Sequence, residues 1–224
     1  MISLPVTSWF SAGTVANDTS TGSLSWDSDT GGTALVGNEV ASDNDVYAYG
    51  RAFSLTATNY LKCTNFGITS TDVPIGATID GVEVEVRQFR GNTTPVVTST
   101  SVNLVKAGSV VGSNFGVTAD WAITETVVTY GSSAQLGGVS WTQSDVTSSG
   151  FGTALSVLWA STRISTSPNA YVDQVRLRVY YTAAVVSVTV SSLSCRASGI
   201  TYGVTAGSGG SVAARSGSFF GLLT

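Results

Sequence analysis

The sequence predicts an all-β fold: an antiparallel two-sheet β-sandwich, jelly-roll-like, with an extended C-terminal arm. Three observations predict it. Short runs of alternating apolar and polar residues recur along the chain, separated by clusters of Gly, Ser, Asn and Asp. No segment of useful length carries the 3.6-residue period of a helix. Charged residues make up 11% of the 224, well below the roughly one quarter usual in soluble domains, and Ser, Thr, Gly and Val fill the gap.

Taken in order, "DVYAYG" predicts a short strand around Tyr47 and Tyr49. "RAFSLTA" predicts one with Phe53, Leu55 and Ala57 on a shared face. In "GATIDGVEVEVRQF", Asp80-Gly81 is a turn pair, and Val82, Val84 and Val86 then alternate with Glu83, Glu85 and Arg87. That period of two means a half-buried strand with a wet face. "TSVNLVKAG" points Val102 and Leu104 inward, and "TVVTYG" is a shorter strand around Val128 and Tyr130. "QSDVTSSGFG" suits one turn of helix, with Ser144 or Asp145 as its cap. "TALSVLWAS" buries Leu155, Val157 and Trp159.

"YVDQVRLRVYYT" places Val175, Leu177, Val179 and Tyr181 on one face, with Arg176 and Arg178 on the other. This strand is expected beside the one from Val82, antiparallel, so that Glu83 and Glu85 lie across from the arginines. Each exposed pair contributes about 0.2–1 kcal/mol, so such pairs set register more than stability. "VVSVTVSS" predicts a last strand through Val186, Val188 and Val190. Asn65-Phe66-Gly67 and Asn114-Phe115-Gly116 echo one another but are too short to make a repeat.

Composition shifts after Tyr181. Residues 1–181 carry 8 basic and 14 acidic side chains; beyond them the only charged residues are Arg196 and Arg215. The expected division is a sandwich domain over 1–182, then an additional strand and a Gly/Ser-rich arm over 183–224.

Several function classes fall away. With a net charge of −4 and no basic stripe, nucleic acid is not an expected partner. No run of about 18 apolar residues is present, so no membrane helix is expected. "MISLPVTSWF" lacks the charged start and apolar run of a secretory signal, so folding in a cytosol is expected. Cys63 and Cys195 are then expected free and buried.

The chain has no histidine. That removes the commonest general base, the Ser-His and Cys-His nucleophile pairs and the commonest zinc ligand. A carboxylate-pair glycosidase survives the cut. However, the four glutamates are Glu39, Glu83, Glu85 and Glu125, two of them on a predicted wet strand face, and the ten aspartates sit mostly in turn contexts. "GSGGS" lacks the Lys and helix of a phosphate loop and reads as a linker. No enzyme, cofactor or metal is therefore expected.

Two groups of residues remain as binding candidates. Of the five tryptophans, Trp26 precedes Asp27 and Trp121 follows Asp120, a pairing of ring and carboxylate that suits a glycan. The competing reading makes the rings plugs of the sandwich core, Trp159 above all. Asp27-Ser28-Asp29 and Asp43-Asn44-Asp45 crowd oxygens as calcium sites do, without the EF-hand pattern; the same residues also simply make turns.

The chain closes on "TAGSGGSVAARSGSFFGLLT". Burial of Phe219, Phe220, Leu222 and Leu223 alone does not offset the ordering of so long a Gly/Ser-rich segment. Backbone pairing, such as strand addition to a neighbour's sheet edge, would have to help. These four residues, with Arg215, are the candidate assembly arm; folding back onto its own sandwich is the alternative.

The segments "NYLKCTNFGI", "PIGATIDGVEVEVR", "SVNLVKAGSVVGSN", "VTYGSSAQLGGVSWTQSDVTSSGFGTALSV" and "AYVDQVRLRVYYT" follow one another over residues 40–182. In that order they resemble a group of virion proteins of tailed bacteriophages. The resemblance implies a non-enzymatic β-sandwich in a phage particle, on the head surface or in a tail appendage. The expected protein is a capsid decoration or cement subunit that docks on major capsid or tail proteins and forms a homo-oligomer. A trimer would suit capsid threefold positions. The alternative is a tail-appendage module that grips host surface glycans.

Overall fold

The computed structural model describes residues 5–31, 34–51, 55–93, 96–116, 120–159 and 169–184, with the backbone of 193–197 and 200–204. The chain divides into two compact units, Met1–Ala184 and Val185–Thr224. In the first, the elements are β1 (Phe10–Ser11), β2 (Thr14–Asp18), β3 (Trp26–Ser28), α1 (Asn38–Ala41), β4 (Ala48–Arg51), β5 (Tyr60–Thr64), β6 (Thr78–Arg90), β7 (Val97–Lys106), β8 (Ser109–Val111), β9 (Thr126–Ser132), α2 (Gln143–Val146), β10 (Gly152–Trp159) and β11 (Asn169–Thr182). In the second, β12 (Leu193–Ala197) pairs antiparallel with β13 (Ile200–Val204).

Two antiparallel sheets make the sandwich. One runs β3-β4-β11-β6-β9, with β1 also paired to β11; the other runs β2-β5-β10-β7-β8. Within them, β4-β11-β6-β9 and β5-β10-β7-β8 have the eight-strand order of a jelly roll. Strands β1 to β3 extend its sheets. The segment from Pro5 runs beside β11: Tyr181 N donates to Pro5 O at 3.0 Å, and Thr7 N donates to Val179 O at 3.0 Å.

The period-two segments bury the residues the alternation selects. Val82, Val84 and Val86 of β6 face Val175, Leu177 and Val179 of β11 inside one core, with Val102, Leu104, Leu155, Val157 and Trp159 from the other sheet. Arg176 lies opposite Glu85, and Arg178 opposite Glu83. A bulge in the β7–β10 pairing, between Ser156 and Val157, resets the phase of β7. Ser99 therefore points inward as well, and binds the Tyr130 hydroxyl at 2.9 Å while accepting from Trp121 Nε1 at 2.9 Å.

Two expectations need correction. Beyond Arg51, which ends β4, "RAFSLTA" is not a strand over its described part. Leu55 is 52% exposed and Ala57 makes a single bridge, while Phe53 lies outside the described residues. The strand is β5, a few residues later, where only Leu61 and Cys63 are apolar and buried, too thin a pattern to stand out. The helical turn α2 is present, but its cap is Thr142. Thr142 Oγ1 accepts from Asp145 N, and Asp145 returns the bond to Thr142 N, so Asp145 closes a capping box instead of capping.

Cys63 is a free thiol, 1% exposed, and burial pushes its pKa up. The side chain of Cys195, the strand expected through Val186, Val188 and Val190, and all of Arg215, Phe219, Phe220, Leu222 and Leu223 lie outside the described residues.

Candidate functional site

The outward face of the β3-β4-β11-β6-β9 sheet carries a group of charged and aromatic side chains that the core excludes. Along β6 and β11 it carries a ladder. Arg178 Nε donates to Glu83 Oε2 at 2.7 Å, and Arg176 pairs with Glu85. Trp9, half-buried on the segment beside β11, lies over both arginines, with its ring centre 4.5 Å from the Arg178 guanidinium carbon and 5.6 Å from that of Arg176. A contact of this kind contributes about 0.5–1 kcal/mol. This part of the face neutralises itself: each acid has a base and each base a ring.

Further along the same face the balance fails. Opposite β6, Val172 pairs with Gln88 and Gln174 with Arg87, so Asp173 is the extra residue of a bulge. The bulge turns two successive side chains, Asp173 and Gln174, away from the core. Asp173 is nonetheless 0% exposed. It lies close to Asp43, from the loop after α1, and to Glu125, next to β9. One carboxylate oxygen from each of the three lies within 4.8 Å of the others.

Arg87 reaches two of these acids. Its Nη1 donates to Glu125 Oε1 at 2.9 Å and its Nη2 pairs with Asp43 Oδ2 at 3.0 Å. The Glu125 bond raises the guanidinium pKa further. Asp173 receives much less. A long bond of 3.4 Å from Asn44 N meets its Oδ1, and its Oδ2 is buried without a hydrogen-bond partner. Burial pushes its pKa up to about 6; the Asn44 bond pulls the other way, and the neighbouring Asp43 and Glu125 carboxylates add to the rise.

Aromatic rings border the cluster. Tyr171 stacks on Phe89 at 4.7 Å, and Tyr47 meets both edge-on, at 5.5 and 5.2 Å. The Tyr47 hydroxyl donates to Asp45 Oδ1 at 2.9 Å; burial and then that carboxylate raise its pKa. Oxygen donors, one guanidinium and no imidazole or thiolate make this a place for a hard cation or a polar ligand.

The structure separates the residues singled out from sequence. Trp26 is 0% exposed and Trp121 2%, and their Nε1 groups donate to Asn59 O and Ser99 Oγ. The expected glycan contacts are therefore core plugs, because each ring points between the sheets. Asp29 continues the β3–β4 pairing, donating from its N to Tyr47 O and accepting from Tyr47 N at its Oδ1. Of the two acidic triplets, only Asp43 joins the cluster. Asp173 and Glu125 were missed, although "VDQV" carries a signal: two polar residues between valines break the alternation where the bulge lies.

A scan against protein-family models and a search of curated proteins return no match. Among solved structures, the chain is similar to the CBM22-1 xylan-binding domain of Paenibacillus barcinonensis Xyn10C, with 9% identity, a TM-score of 0.33, and coverage of 82% of this chain and 99% of that one. It is also similar to the N-terminal cellulose-binding domain of Cellulomonas fimi β-1,4-glucanase C, with 11% identity, a TM-score of 0.27, and coverage of 80% and 90%. Likenesses at these scores say nothing of function.

Proposed function

We propose that this chain is a non-enzymatic structural protein of a tailed-bacteriophage particle, a capsid decoration or cement subunit that docks on neighbouring virion proteins. One observation carries the reading. The ordered segments of the resemblance fall on successive parts of the jelly roll: "NYLKCT" contains β5, "GATIDGVEVEVR" lies in and before β6, "SVNLVKAGSVV" spans the later part of β7 and all of β8, and "AYVDQVRLRVYY" lies within β11. The segments thus fall on strands from β5 to β11 and their connections, while β4 lies outside them. The side chains that suggested other roles are also occupied. Trp26 and Trp121 fill the core, and Glu83 and Glu85 hold register against arginines. Fold alone does not imply this function, so the reading needs its own test.

The test is binding of the purified protein to empty heads of the phage that encodes it, with sedimentation velocity over a range of concentrations. The expected result is concentration-dependent oligomers and co-sedimentation with heads. A second protein, ending at Thr205, asks whether the segment beyond it makes the contact. A monomer at every concentration, with no binding to heads, would refute the proposal.

A glycan-gripping appendage is the second reading, and the half-buried Tyr47, Phe89 and Tyr171 beside carboxylates favour it. Saccharide binding that is lost in Tyr171→Ala, without binding to heads, would put it first.

A further inference from the structure

We propose that Asp43, Glu125 and Asp173 form a binding site for a divalent hard cation, calcium by preference. The inference is independent of any role in a virion.

Two observations meet here. The first is the convergence of three carboxylates from three places: the loop after α1, the approach to β9 and the bulge of β11. The second is the state of Asp173. It is wholly buried, it belongs to the cluster, and its Oδ2 has no hydrogen-bond partner. A buried anionic oxygen without a donor is costly, and native structures rarely leave one so. Arg87 does not remedy this, because its two bonds go to Glu125 and Asp43. With all three acids ionised, three negative charges face one positive charge. A divalent cation cancels the excess and supplies what Asp173 lacks.

The donor set selects the ion. Carboxylate oxygens suit calcium, magnesium and manganese; the soft and borderline metals prefer thiolate or imidazole. The chain has no histidine, and Cys63 is buried in the core. Size then separates the hard ions. Oxygens on opposite sides of calcium lie about 4.6–5.2 Å apart, and of magnesium about 4.0–4.2 Å. Carboxylate oxygens that all lie within 4.8 Å of one another leave room for calcium, the larger of the two. Loop-borne ligands also suit calcium, which tolerates irregular geometry better than magnesium does. Waters and backbone carbonyls would complete the shell.

The experiment uses the full chain. Thermal unfolding is followed in EDTA, in 10 mM CaCl2 and in 10 mM MgCl2, at matched ionic strength. A site of this kind has a Kd on the order of 0.1–1 mM. The expected rise in Tm with calcium is about 3–10 °C, and smaller with magnesium. Asp173→Asn and Glu125→Gln should each abolish the rise while retaining the wild-type circular dichroism spectrum in EDTA. Asp173→Asn removes an uncompensated buried charge, so it is expected to fold at least as well as wild type without metal; Glu125→Gln is the check if it does not. Terbium gives a second readout, because Tyr47 borders the cluster and would sensitise its luminescence; the signal should be lost in both variants. No calcium-dependent rise in the wild-type protein would overturn the proposal. So would a rise that persists in both variants, because calcium would then bind elsewhere. An equal rise with magnesium would overturn the preference for calcium.

Discussion

Replacing Trp26 by Ala should destabilise the sandwich severely. The ring is 0% exposed and lies at the sheet edge formed by β3. Its Nε1 donates to Asn59 O at 2.9 Å. Its backbone is clamped by Asn17 of β2, in the opposite sheet: Trp26 N donates to Asn17 Oδ1 and Asn17 Nδ2 donates to Trp26 O, both at 2.7 Å. A buried indole removes about 200 Å² from water, which at about 25 cal/mol per Å² gives roughly 5 kcal/mol as an upper value. Trp-to-Ala substitutions in cores cost about 3–5 kcal/mol. For a chain of this size that lowers Tm by about 6–20 °C. Trp26→Phe retains most of the area but strands the Asn59 carbonyl, for an expected loss of about 1–3 kcal/mol. Urea unfolding followed by circular dichroism measures both, with an unchanged m-value as the sign that the unfolded state is unaltered. A Tm for Trp26→Ala within about 2 °C of wild type would refute the reasoning, because that is less than a single kcal/mol in a domain of this size. The same measurement guards any ligand assay: binding lost in Trp26→Ala would otherwise be mistaken for loss of a contact.

Three further outcomes are expected. Gly50→Ala would bring a Cβ within 2.9 Å of Thr58 Cγ2 and 3.2 Å of the Trp159 ring, so it should cost about 1–3 kcal/mol in urea unfolding. Hydrogen bonds from Lys62 and then Ser20 lower the Asp18 pKa from 3.8 to about 2. The folded value lies below the unfolded one, so its contribution is present above about pH 4 and is lost as pH falls towards 2; with solvent screening it is about 0.5–1 kcal/mol. Asp18→Asn should lose that amount at pH 7 and flatten the acid limb of the stability curve. Cys63, buried with a raised pKa, should resist alkylation at pH 8 in the native protein and react only on unfolding, as peptide mass spectrometry of labelled protein would show.

The fold was legible where the alternation ran unbroken. Val82 to Arg87 and Val175 to Val179 disclosed both faces of β6 and β11, and opposite charges disclosed their register, because one slip would set like against unlike faces. It was illegible where burial depends on distant chain. Trp26 beside Asp27 reads as a ligand platform locally, and only the clamp from Asn17 and the acceptor on Asn59 make it a plug. The acidic cluster divides the same way. The bulge at Asp173 leaves a mark in the sequence, a slip of phase between Val172 and Val175. Its meeting with Asp43 and Glu125 joins residues far apart in the chain, and no local pattern encodes that.

The hydrogen bond between Tyr181 N and Pro5 O gives the molecule a mechanical character. Tension carried by the chain beyond Ala184 reaches the jelly roll at the end of β11. That strand is no peelable edge. It has β6 along one side, and β4, then β1 and the segment from Pro5, along the other. A load directed along β11 is therefore shared by two rows of backbone bonds in shear, which must fail together, whereas an edge strand would unzip bond by bond. A pull from the C-terminal side thus meets a strand held along both of its edges.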